Sequence, residues 1–131
     1  MRLTQSSLKM NALVADKSNI AQTATFSPTT VTEANVLYVE GSDYVDILMK
    51  VTGEAAASGT VTFNWILYNT TTAEPTVPSF PSTIVMTSNT ITKRNQQFLV
   101  TGYKYLRLLS VVNGDAAKDA TAVNAYVTSI G

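Results

Sequence analysis

The chain has 131 residues, 45% of them hydrophobic and only 14% charged, with nine basic and nine acidic side chains and no cysteine or histidine. That length fits one domain with a self-sufficient core. The missing residue types exclude disulfides, thiolate metal sites and the Ser-His-Asp and Cys-His catalytic groupings, and the balanced charge argues against nucleic acid as the main partner.

Met1 to Ile20 shows no clean periodicity: Leu3, Leu8, Met10, Leu13, Val14 and Ile20 follow neither a period of two nor one of 3.6. This stretch is expected to be an N-terminal arm, with residues 21–131 forming the folded domain. It has no apolar run of signal-peptide length, and no segment reaches the ~18 apolar residues of a membrane span. The expectation is a soluble chain that is not secreted.

Strand signals become regular from Ala21. Thr23–Phe26 is a short polar strand stopped by Ser27-Pro28, since proline has no N–H to give to a ladder. Val36–Val39 follows, then a turn at Glu40–Asp43. In Tyr44–Val51, Val45, Ile47, Met49 and Val51 alternate with Asp46 and Lys50. A slip of one residue would bury that charge, so the register is strongly set. After the small-residue loop Gly53–Gly59, Thr60–Asn69 places Val61, Phe63, Trp65 and Leu67 on one face and Ile66 and Tyr68 on the other. Apolar residues on both faces point to a central strand or one covered on both sides.

Thr70–Ser82 holds three of the four prolines and reads as an extended loop. Short strands are expected at Thr83–Thr87 and Gln96–Thr101, with a turn over Ser88–Asn95 between them. The last stretch, Tyr103–Ile130, reads as two antiparallel strands joined by a polar turn. Leu106 and Leu108 share one face of the first strand, and Val123, Ala125 and Val127 one face of the second. About eight short strands rich in Val, Thr, Ile, Tyr and Phe, with no convincing long helix, predict an all-β fold. The architecture expected is an antiparallel β-sandwich, jelly-roll-like.

Acidic residues near turns are the candidates for chemistry. Asp43 and Asp46 flank one turn, and Asp115 and Asp119 another beside Asn113. Oxygen ligands in a loop suit calcium, but neither group has the EF-hand spacing, and Asn113-Gly114-Asp115 is more simply a turn. Glu40, Glu54 and Glu74 all fall in turns or loops, which does not suit a glycosidase pair facing across a cleft. No catalytic, metal-binding or cofactor-binding residue is assigned. On the surface, Arg107 beside Tyr103 and Tyr105 suits a sugar, a peptide or a subunit contact, or an exposed arginine along a sheet edge.

The run FLVTGYKYLRLLSVVNGDAAKDATAVNAYVTSIG resembles the closing hairpin of small β-sandwich proteins in tailed-bacteriophage virions, where an aromatic-Leu-Arg strand precedes a polar turn and a Thr/Val-rich last strand. The likeness covers about the last quarter of the chain, and sugar-binding jelly rolls end in a similar way. It implies a non-enzymatic capsid decoration (cement) protein on the virion surface, assembled in the host cytoplasm. Such a protein binds the major capsid protein or other virion proteins, often as a trimer, without nucleic acid, membrane or cofactor. The alternatives are a tail, neck or fibre component, or a jelly-roll carbohydrate-binding module. The contact candidates are Leu3, Leu8 and Met10 in the arm, Val77 and Phe80 in the proline loop, and Tyr103, Tyr105 and Arg107.

Overall fold

The computed structural model describes residues 14–27, 36–69 and 79–131. They form nine strands: β1 (Val14–Lys17), β2 (Thr25–Phe26), β3 (Val36–Tyr38), β4 (Tyr44–Gly53), β5 (Thr60–Tyr68), β6 (Ser79–Val85), β7 (Ile91–Leu99), β8 (Tyr105–Asn113) and β9 (Ala120–Ile130). One sheet runs β1-β9-β4-β7; the other runs β2-β8-β5-β6, with β3 also on β8. Every pairing is antiparallel. Because β2 and β3 lie along the same edge of β8, the nine strands fill eight positions, four in each layer. The chain changes sheet at every connection except β2–β3 and β5–β6, which makes a jelly roll.

The alternation read from the sequence is the burial found. Val45, Ile47, Met49 and Val51 on β4 are fully buried, as are Val61, Phe63, Trp65 and Leu67 on β5. Leu106, Leu108 and Val111 on β8 complete the floor of one layer, and Val123, Ala125 and Val127 on β9 that of the other. The single tryptophan lies at the centre of this core, its ring 5.2 Å from Phe98. Flanked by β8 and β6, β5 is the central strand its two apolar faces predicted.

Three bulges keep the apolar rows facing inward. On β8, Asn64 pairs Ser110 and Trp65 pairs Leu108, so Leu109 is the extra residue and turns half outward. On β9 the extra residues are Thr121 and Thr128. Each donates its hydroxyl to a carbonyl of β4, Thr121 to Thr52 and Thr128 to Asp46, both at 3.2 Å. The hydroxyl thus ties each bulged residue back to the ladder it interrupts.

Several boundaries differ from the sequence reading. β8 and β9 do not form a hairpin; they belong to different sheets, and residues 114–119 carry the chain between the layers. Alternation shows only that each strand has one buried face, and a strand facing another across the core satisfies that as well as a neighbour does. The end of the proline loop is strand from Ser79, and Pro81 is tolerated because β6 is an edge. The turn placed at Ser88–Asn95 is confined to a Thr87–Thr90 bridge, and β7 begins at Ile91. The short strand read at Thr23–Phe26 shrinks to Thr25–Phe26. The arm read as ending at Ile20 is partly built into the sandwich: Val14–Lys17 pairs with β9, and Ile20 bridges Ala120 and is buried.

Candidate interaction surfaces

One end of the sandwich is held by carboxylates bound to backbone amides. Asp115 Oδ2 accepts from the Ser58 and Gly59 amides at 3.1 and 2.8 Å, and Oδ1 from Ala117 and Lys118 at 2.9 and 3.0 Å. These donors stabilise the ionised form, the Ala117 amide most, and hold the carboxyl at about 2. The Asp119 amide donates to Glu54 Oε1 at 3.0 Å, and Asp119 Oδ1 accepts from the Gln22 amide at 2.9 Å. Buried Asn113 donates through Nδ2 to the carbonyls of Ile20 and Lys118 and accepts the Asp115 amide. Of the acidic residues singled out in the sequence, Asp115, Asp119 and Glu54 therefore bind together three sheet-crossing loops, while Asp43 Oδ1 accepts from the Thr101 hydroxyl at 3.3 Å. Glu40 accepts the Tyr38 hydroxyl, Asp46 lies on the outer side of β4, and Glu74 lies outside the described residues. Among the described residues no group of three or more acidic side chains gathers as a metal site would require.

The outer face of the second sheet carries an aromatic row. Inward Leu37, Leu106 and Leu67 on β3, β8 and β5 each have a tyrosine neighbour, so Tyr38, Tyr105 and Tyr68 point outward in direct register. Tyr105 meets Tyr38 edge-on at 5.5 Å and stacks on Tyr68 at 5.2 Å. Arg107 follows on β8, opposite Ile66. Tyr68 is buried, its hydroxyl has no hydrogen-bond partner among the described residues, and burial raises its pKa against the lowering effect of Arg107. Tyr38, Tyr105 and Arg107 are half-buried, which leaves part of each open to a partner.

The β6–β7 side is the open seam of the sandwich. Here polar side chains turn inward: Ser82 on β6 donates to Gln96 on β7 at 2.5 Å, and Arg94 reaches the Thr83 carbonyl at 2.9 Å. Large apolar side chains face solvent beside them, Val85 on β6 and Ile91 and Leu99 on β7, all more than half exposed. A shallow depression on the outer face of the first sheet is lined by Asp46, Leu48, Asn95, Gln97 and Thr128.

Of the contact candidates, the structure brings Tyr105 and Arg107 together on one face. Phe80 lies on the inner side of β6, with its ring 6.2 Å from Phe98, and Tyr103 also packs against the core. Both are core-edge residues in this fold. Leu3, Leu8, Met10 and Val77 lie outside the described residues. The reading from sequence missed Tyr38 and Tyr68, although each sits beside a buried leucine as Tyr105 does, in VLYV, ILYN and KYLR. Comparison of the chain with protein-family models, curated proteins and solved structures found no match.

Proposed function

We propose that this chain is a non-enzymatic structural protein of a virion, of the capsid-decoration kind, acting through protein–protein contacts on its outer sheet faces. The observation that carries this reading is the Tyr38–Tyr105–Tyr68 row beside Arg107 on one outer face. Tyrosine and arginine packed on a firm sheet are the residues that dominate protein interfaces, where they supply contact area with little loss of side-chain freedom. The jelly roll, a recurrent architecture of viral capsid and lectin domains, and the resemblance of the last strands to small tailed-phage proteins lend further support. The partners in this reading are the major capsid protein or other virion proteins, and copies of the chain itself.

The test adds purified protein to expanded, undecorated phage heads and measures co-sedimentation. Saturable binding is expected, weakened at least about tenfold by Tyr105→Ala with Arg107→Ala. No binding to heads, or binding unchanged by that pair, overturns the proposal. The aromatic row also favours a second reading, a carbohydrate-binding module. Hits on a glycan array that the same pair abolishes would establish it.

A further inference from the structure

We infer that β7 is a self-pairing edge, through which two copies of this chain join their first sheets into one continuous antiparallel sheet. Among the described residues, β7 pairs only with β4 and has no strand on its other side. Which of its backbone groups are free follows from the bonds at its ends. Tyr44 exchanges both backbone bonds with Gly131 on the β9 side, so the odd residues of β4 face β7. Accordingly Gly53 donates to Thr90, and Val100 donates to Asp43. The even-numbered residues of β7 are thus bonded to β4. The N–H and C=O groups of Ile91, Lys93, Asn95, Gln97 and Leu99 point away from the sheet. The same five side chains are exposed.

That row is self-complementary about Asn95. A two-fold axis through Asn95 sets Asn95 opposite Asn95 of the second copy, Lys93 opposite its Gln97, and Ile91 opposite its Leu99. The two exposed apolar residues at the ends of the strand then cover each other. In this register each outward N–H faces the outward C=O of the residue opposite, as an antiparallel ladder requires. The two Lys93 side chains fall four residues apart along the strand, roughly 14 Å, which exceeds the ~8 Å screening length at physiological salt. Other registers lose this. Moving the axis to Lys93 opposes two lysines, and moving it to residue 96 sets Leu99 against Lys93. Lys93 and inward-turned Arg94 are the kind of charge that keeps sheet edges from pairing indiscriminately. Here they favour the register about Asn95, with a second copy as the partner. This inference stands apart from the proposed virion role, because it concerns the free protein in solution.

The experiment measures the mass of the full chain by sedimentation over a range of concentrations. A monomer–dimer equilibrium is expected, reaching twice 14.1 kDa. Gln97→Lys, on the exposed outer row, sets a new lysine against Lys93 of the other copy at both ends of the interface, and weakens the dimer roughly 3- to 30-fold. Adding Lys93→Glu to Gln97→Lys restores it, because only this register opposes those two positions. Asn95→Pro removes an outward amide at the axis and abolishes the dimer, with circular dichroism confirming that the variant folds. A monomer at all concentrations, a trimer indifferent to Gln97→Lys, or a double variant that fails to recover overturns the inference.

Discussion

Gly59 sits where two sheet-crossing loops touch, and replacing it with alanine tests that contact directly. A Cβ built there lies 2.5 Å from both Cα and Cβ of Asp115 and 2.8 Å from its Cγ. Carbon atoms rest at about 3.5–4.0 Å, so the Asp115 turn must retreat by roughly 1 Å. The obstacle is backbone, not the tip of a flexible side chain, and it is held on both sides. The Gly59 carbonyl accepts from Met86 at 2.8 Å, and the Gly114 amide donates to Thr60 at 2.8 Å. Overpacking of this kind costs about 1–3 kcal/mol. Lengthening the Ser58 and Gly59 bonds to the Asp115 carboxylate adds to the loss. For a domain of this size, Gly59→Ala should lower Tm by about 5–12 °C. Thermal melts followed by circular dichroism, with urea titrations to obtain the free energy, measure it. A variant melting within about 2 °C of the parent would refute the close approach of the two loops.

Asp115 also sets an acid limit. Its carboxyl is lowered from 3.8 to about 2 in the fold, so its contribution is present above the unfolded value and fades as pH falls toward 2. The stability gap between the parent and Asp115→Asn should therefore narrow from about pH 4 downward, and urea midpoints across that range would show a constant gap if the carboxylate bonds are not formed. Leu108→Ala should cost about 2–5 kcal/mol because its side chain is fully buried. Its bulged neighbour predicts the opposite: Leu109→Ser should cost under about 1 kcal/mol, and equal losses in urea unfolding would place the bulge elsewhere. Trp65→Phe should change stability by no more than about 1 kcal/mol, because the lost packing is offset by removing an indole N–H that is buried without a partner. A urea-measured loss of about 3 kcal/mol or more would show that this N–H is satisfied.

The core strands were legible because their burial is one-sided and regular. β4 alternates without a break over ten residues, and β5 differs only at Tyr68. β7 was half hidden for the opposite reason. Of its nine residues only Phe98 is buried, and its inward positions carry Thr92, Arg94 and Gln96, so no apolar period announced it. The β8–β9 assignment failed on topology: Leu108 and Val123 each report a buried face, and neither reports which sheet it belongs to. The aromatic face was partly visible, since Tyr105 and Arg107 are two residues apart on one strand. Tyr38 and Tyr68 join them only through pairing across long sequence separations.

The place of β9 bears on how the protein is made. Of the nine strands it leaves the ribosome last, yet it lies between β1 and β4, and among the described residues β1 has no other strand neighbour. A nascent chain that has emitted everything through β8 holds one layer nearly whole and the other split in two, with the backbone edge of β4 that β9 will pair left open. Closure must then wait for the final segment to thread into the middle, a slow, long-range event that leaves the growing chain prone to sticking.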